Sequence, residues 1–340
     1  MQPGRASEEL IKELVHSTGV TDAPTAIRQK ARELIQTYVT SFGEPTMPLD
    51  IDVLASLRSI HRSNEKPLHS PDAELVPNSE GGVTMRVNPD RPETRQRFSV
   101  AHEISHTFFP DYTTKRWCRT DARYRDRTNP DEYIEMLCDI GAAELLLPEP
   151  WFTKDATRVA DANGLLHLAR AYRASREATI RRYVETSPAS VAAVFFVWKL
   201  KPTQESRIGC RDQGNIFGIT PGQEVEDALR LRIEYAIVSE RFKTDGYFLP
   251  KDKSVENDGP IYRTASTGVP AEGECFLDFG QAAGVYRTWA IPLWTMDGEN
   301  GANGETAVAA ILWPKSVQKP RHRRSGTRAP SLWERFKGAN

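Results

Sequence analysis

Apolar positions along the chain fall into two textures, helical as far as residue 186 and β-like from Ala189 onward. In "DAPTAIRQKARELIQTYVTSFG" (22–43), Ile27, Ala31, Leu34, Tyr38 and Phe42 form one stripe at helical spacing. Asp22 or Thr25 can cap that helix, Pro24 suits its first turn, and Gly43 stops it. "PLDIDVLASLRSI" (48–60) predicts a second, short helix, whereas residues 1–21 carry only a weak helical pattern and read as a flexible polar start. "AELVPNSEGGVTMRVN" (73–88) alternates around a Glu-Gly-Gly turn signal and predicts a β-hairpin. Two more helices are expected, one over "RFSVAHEISHTFFP" (97–110), ended by Pro110, and one over "NPDEYIEMLCDIGAAELLLPEP" (129–150). A polar loop of the sequence "DYTTKRWCRTDARYRDRT" (111–128) separates them.

"NGLLHLARAYRASREATIRRYVET" (163–186) reads as two short helices around "RAS", a helix-turn-helix-like pattern that also occurs in purely structural bundles. Beyond it, residues 190–200 and 229–238 read as strands, and "TWAIPLW" pairs with "TAVAAILW" across the Gly/Asn-rich loop 297–305. The fold class is therefore α+β. The expected organisation is a flexible start (1–21), a mostly helical domain with a small hairpin or sheet (22–160), and the helix-turn-helix-like segment (161–187). A β-rich, α/β C-terminal domain (188–314) and a disordered basic tail (315–340) complete it, with the main boundary near Ser187–Pro188.

Composition changes this picture little. A chain of 340 residues with 39% hydrophobic content can bury two cores, and a net charge of −1 signals neither nucleic acid nor membrane. The last 26 residues hold eight Lys/Arg against one Glu, so the remainder carries −8, a poor footprint for duplex DNA. The four cysteines, Cys118, Cys138, Cys210 and Cys275, include no CxxC pair and read as reduced thiols. The start "MQPGRASEELIKELVHS" lacks an apolar signal core, and "VAAVFFVW" (191–198) falls well short of the ~20 residues of a membrane helix. The expected compartment is the cytoplasm.

The chemistry is concentrated in "RFSVAHEISHTFFP". His102 and His106, four apart, project from one helix face, with Glu103 about 100° round from His102. His-Glu-x-x-His on a helix binds zinc through two imidazoles and leaves the adjacent carboxylate to activate water. A third ligand is needed. An extended His-x-x-Gly-x-x-His continuation is absent, because Thr107, Phe108, Phe109, Pro110, Asp111 and Tyr112 follow. The helix 129–147 offers Glu132, Glu135 and Glu144. Glu135 is preferred: it lies within the apolar run Ile134–Met136–Leu137, and Asp139, one turn on, can accept the second ring N–H of a ligating histidine. Glu132, near the helix start, reads as a surface acid, and Glu144 is the second choice. The small run Gly141–Ala142–Ala143 would let this helix pack closely on the first. Zinc suits a His/His/Glu set, and manganese would also accept it. Tyr124, Tyr133 and His167 are candidate donors to a transition-state oxyanion, although His167, beside Leu165 and Leu166, reads better as a core histidine. His16, His61, His69 and His322 read as surface residues, and Trp289, Trp294 and Trp313 as packing in the second domain.

"TRQRFSVAHEISH", followed about thirty residues later by "IEMLCDIGAAELLLP", resembles the ImmA/IrrE metallopeptidase family. The strand "VTMRVN" and the segment "LARAYRASREATIRRY" occupy places that the family gives to a hairpin edge and a helix-turn-helix-like unit. The likeness covers roughly residues 22–186, and Ser105 stands where many members have Gly. The resemblance implies a zincin-like domain with His102, His106 and Glu135 as zinc ligands and Glu103 as catalytic acid/base. It also implies a GAF-type sensor fold for the C-terminal part. The implied activity is site-specific endopeptidase cleavage of a protein partner, a helix-turn-helix repressor, which derepresses stress or mobile-element genes. The alternatives are a DNA-binding regulator using the 163–186 segment, with Arg176, Arg181 and Arg182 as base readers, or a toxin–antitoxin component. Oligomeric state is left open by the residues.

Overall fold

The computed structural model describes residues 7–66, 72–78, 82–110, 112–113, 117–119, 128–201, 203, 229–256, 258–293 and 307–317. They form two compact units. The first takes the described residues up to Phe152 together with Ala169–Ser175; the second takes Thr153–Leu168 and the described residues from Arg176 onward.

In the first unit five helices, α1 (Ser7–Thr18), α2 (Ala23–Phe42), α3 (Ile51–Leu57), α4 (Glu93–His106) and α5 (Pro130–Leu146), pack with a four-stranded sheet. The sheet has the order β1 (Ile60–Ser63), β3 (Val83–Val87), β2 (Ala73–Pro77), β4 (Trp117–Arg119), with β1 parallel to β3 and the other pairs antiparallel. The hairpin expected over 73–88 is present, with Ala73 opposite Val87 and Pro77 opposite Val83. Helix starts follow the capping residues: Asp22 accepts the Thr25 N–H at 2.9 Å, and Asn129 accepts the Asp131 N–H at 3.1 Å ahead of Pro130. The second cap sets the start of α5, which packs on both α2 and α4.

Several expectations are corrected here. From Ser7 to Thr18 the supposed flexible start is a helix, which buries Leu10, Ile11, Leu14 and Val15 and packs on α2 and α5. Its apolar pairs at i, i+1, i+4 and i+5 make a narrow stripe, stable only when docked. The second helix ends at Leu57; Ser59 turns the chain at φ 56°, and Ile60 enters a strand that β3 recruits from outside the local pattern. The stripe of α2 does not reach its end. Phe42 is 61% exposed and rests on Tyr38 at 5.2 Å between ring centroids, while Ala23, Ala26, Ile27, Ala31, Leu34 and Ile35 form the buried face. Helix α4 stops at His106 rather than Pro110, because Thr107, Phe108 and Phe109 bond back three residues in tight turns.

The second unit is built on a fully antiparallel five-stranded sheet of order β6 (Arg230–Val238), β5 (Ala192–Lys199), β9 (Ala307–Val317), β8 (Gly284–Pro292), β7 (Ala271–Leu277). The expected strands 190–200 and 229–238 are there, and β8 pairs with β9 as "TWAIPLW" and "TAVAAILW" predict. Alternation places Val194, Phe196, Tyr286, Ala290, Ala310 and Leu312 in one core with Ile261 and Ala265 of a helix over Gly259–Thr267. Helix α8 (Arg176–Thr186) packs on β5, β6 and β9, and Tyr183 meets Trp289, which in turn meets Trp313 at 4.6 Å. Helices α6 (Glu149–Ala156) and α7 (Ala162–Ala171) precede α8 in sequence, and the turn between α7 and α8 carries Arg173 at φ 48°. His167, read as a core histidine, is exposed. Strand β9 runs to Val317, so it takes the first three residues of the segment expected to be a disordered tail.

Residues 318–340, the 297–305 loop and most of the 111–128 loop lie outside the described residues, as do His69, Tyr124, Cys210, Trp294 and His322. Among the described residues no helix is long and apolar enough to cross a membrane.

Candidate metal centre

Helix α4 is buried all round over its last turns. Ser99 to His106 are all inaccessible, a pattern of a central rather than a surface helix. The strands β2, β3 and β4 contact it, as do α3 and α5. Arg58, at the end of α3, donates to the Thr107 hydroxyl at 2.9 Å and the Thr107 carbonyl at 2.6 Å, tying down the residue after His106. Gly141 permits the approach of α5. A Cβ there would stand 2.6 Å from the Ser105 hydroxyl oxygen, so any larger residue would force the helices apart.

Across that contact three side chains converge. The Nε2 atom of His102 lies 3.2 Å from Glu135 Oε2, and the Nε2 atom of His106 lies 3.3 Å from Glu135 Oε1. One carboxylate thus spans both imidazoles. His102 Nδ1 is 2.9 Å from Asp139 Oδ1. If a metal ion takes the Nε2 lone pair, the ring keeps its one proton on Nδ1, from which it donates to the Asp139 carboxylate. His106 follows the same logic with a partner that sequence reasoning missed: its Nδ1 is 3.3 Å from Cys138 Sγ. The signal was present in the spacing, since Glu135, Cys138 and Asp139 stand at i, i+3 and i+4 on one face of α5.

The electrostatics suit a cation. Burial by itself would lower the His102 pKa, but hydrogen bonds to Asp139 and Glu135, with their charges, raise it to about 9. Burial by itself would raise Glu135, but hydrogen bonds and charge from His102 and His106 hold it well below the usual carboxylate range. Anionic groups that retain a proton on a fully buried imidazole also favour a bound metal ion. Both imidazoles are inaccessible, whereas the Glu135 and Asp139 side chains are 24% and 37% exposed, so solvent reaches the cluster from the α5 side. The donor set of two imidazoles and a carboxylate fits zinc or manganese.

The thiol complicates the donor set. The donor atoms of His102, His106 and Cys138 lie within 4.8 Å of one another, which makes a His/His/Cys triad a rival to His/His/Glu. Orientation favours Glu135. Both Nε2 atoms face its oxygens, whereas Cys138 faces the Nδ1 side of His106 and the Nδ1 of His102 is taken by Asp139.

The remaining candidates separate clearly. Glu103 is wholly buried on α4 next to His102. Glu144 is also wholly buried, but it accepts from Arg32 Nε at 2.9 Å, which supplies its countercharge. Glu132 and Tyr133 are half-buried near the start of α5, and Glu132 accepts from Asn129 at 3.4 Å. His167 belongs to the second unit. Cys138 and Cys275 are free thiols.

Three comparisons bear on these residues. Residues 60–183, the span from β1 into α8, match the model of peptidase family M78, described as the IrrE N-terminal-like domain. The chain is 27% identical over 261 residues to the Radiation response metalloprotease IrrE of Deinococcus radiodurans, an alignment that covers 76% of this chain and 72% of that protein. Among solved structures, a Mycobacterium tuberculosis transcriptional regulator aligns over 90% of this chain and 94% of its own at 14% identity and a TM-score of 0.49, too distant to carry an argument. Both motif-bearing helices lie inside the matched span, so residues 60–183 are similar to the metallopeptidase domain of IrrE-like proteins.

Proposed function

We propose that the chain is a zinc-dependent, site-specific endopeptidase, with manganese as an acceptable substitute, in which His102, His106 and Glu135 hold the metal and Glu103 is the catalytic acid/base. The observation that carries this reading is the convergence of two Nε2 atoms, from His102 and His106, on the two oxygens of Glu135. A bound divalent ion supplies Lewis acidity toward a peptide carbonyl and makes the attacking water more acidic. Asp139, by accepting the Nδ1–H of His102, would leave the Nε2 of that ring as the atom that holds a metal ion. Glu103 takes the proton as water adds to the scissile carbonyl, then delivers it to the amine as the C–N bond breaks. Burial of α4 on every side keeps these groups at fixed separations, so little reorganisation accompanies the reaction.

The substrate proposed is a helix-turn-helix transcriptional repressor, whose cleavage would release silenced stress or mobile-element genes. That assignment is supported by family resemblance and by the relative's description as a radiation response metalloprotease. The five-stranded second unit is assigned a GAF-like sensory role on the same resemblance, and the protein is placed in the cytoplasm, where repressors act.

Direct duplex binding by the α7–α8 segment fits the residues less well. Arg176 donates to the Pro292 carbonyl at 2.7 Å, Arg182 is 4% exposed, and Arg181 pairs with Glu177 while lying over the Tyr235 ring. The three arginines expected to read bases are thus engaged within their own unit. The test is incubation of the purified chain with Zn²⁺ and purified helix-turn-helix repressors from the same genome. A discrete cut that EDTA abolishes is expected. Salt-dependent retention of duplex DNA with no cut would favour the regulator reading instead.

A further inference from the structure

The two histidines of α4 are backed by different chemistry. His102 Nδ1 meets a carboxylate, whereas His106 Nδ1 meets a thiol that is buried and reduced. The two partners are neighbours in sequence, Cys138 and Asp139, so one turn of α5 serves both rings. From these contacts we infer that Cys138 is a positioning residue for the metal centre: its sulfur accepts the His106 Nδ1–H and keeps the Nε2 atom facing Glu135, without itself ligating. This inference rests on the His102/His106/Glu135 reading of the site.

The geometry supports acceptance rather than ligation. If Nε2 of His106, 3.3 Å from Glu135, gives its lone pair to a metal ion, the neutral ring keeps its proton on Nδ1, and Cys138 Sγ at 3.3 Å is within reach of a sulfur hydrogen bond. A thiol is a weak acceptor, so it orients the ring without adding a negative charge, whereas Asp139 does both for His102. The His106 side of the centre is therefore the softer grip. Cys138 is wholly buried, and its neighbours Leu137 and Ala142 are as well, so the sulfur has no freedom to swing to the other side of the ring without moving α5.

The experiment uses the full-length chain and three proteins: wild type, Cys138→Ser and Cys138→Ala. Zn²⁺ affinity is measured by chelator competition, the Co²⁺-substituted forms are examined by optical absorption, and circular dichroism of the metal-free proteins monitors the fold. The expected result is a loss of about 10-fold in affinity for Cys138→Ala, most of it recovered in Cys138→Ser, whose hydroxyl also accepts a hydrogen bond. The wild-type Co²⁺ spectrum should lack an intense near-ultraviolet sulfur-to-metal band. Equal affinity in all three proteins would overturn the positioning role while leaving the metal centre intact. A strong sulfur-to-metal band that disappears in both variants would overturn it by making Cys138 a ligand. Wild-type protein that binds neither ion stoichiometrically would overturn the metal-site reading itself, and the inference with it.

Discussion

Gly141 and Ser105 face each other where α5 crosses α4, and a methyl group on Gly141 would lie 2.6 Å from the Ser105 hydroxyl and 3.2 Å from Ile27 Cγ1. That contact sets how far Glu135 stands from both imidazoles. Gly141→Ala is expected to lower stability by about 1–3 kcal/mol through overpacking and to weaken metal binding at the same time. Adding Ser105→Gly removes the nearest obstruction and should restore part of both losses. Thermal unfolding and chelator competition on the single and double variants measure this. An unchanged single variant would mean that the helices can part without cost.

Glu103 is buried beside His102 but is assigned no contact with the metal. Glu103→Gln should therefore retain stoichiometric metal while the cleavage rate falls by at least about 100-fold, the loss typical of a missing general acid/base. Metal content by elemental analysis and a cleavage time course, run on the same preparation, decide the matter. Persistent proteolysis would refute the role given to Glu103.

Glu135 and Glu144, both on α5, should behave oppositely. Glu135 bridges the imidazoles, and Glu144 is held by Arg32. Glu135→Gln is expected to abolish tight metal binding. Glu144→Gln should keep the metal and show its effect in the unfolding midpoint, because Arg32 loses its partner. If the metal followed Glu144 instead, the ligand assignment would be wrong.

Asp139 fixes the tautomer of His102 from 2.9 Å. Replacing it with Asn keeps the shape but removes the charge, and a decrease in Zn²⁺ affinity of about 10–100-fold is expected. The apo protein should lose little stability, since Asp139 is partly exposed and its ion pair is screened. Affinity that matches wild type would show that Asp139 is a bystander.

Much of the α-helical frame was legible because its signals are local. Asp22, Pro24 and Gly43 bound α2, Asn129 and Pro130 open α5, and continuous apolar runs mark β5 and β9. The segments that misled had weak local patterns. Helix α1 takes its stability from docking on α2 and α5, and strand β1 from pairing with β3, contacts that their own residue patterns do not announce. Phe42 continued the stripe of α2 in projection, yet the helix extends past the elements that would cover it.

The same division holds at the centre. Helical periodicity alone puts His102 and His106 on one face, and puts Glu135, Cys138 and Asp139 together on another helix, because a turn of 3.6 residues leaves no other arrangement. Which oxygen faces which nitrogen is a matter of how two helices cross. Tertiary packing decided that Glu135 rather than Glu144 meets the imidazoles, since Arg32 on α2 was already in place to neutralise the latter. It also turned Cys138 toward His106, a contact thirty-two residues apart in sequence that no local pattern encodes.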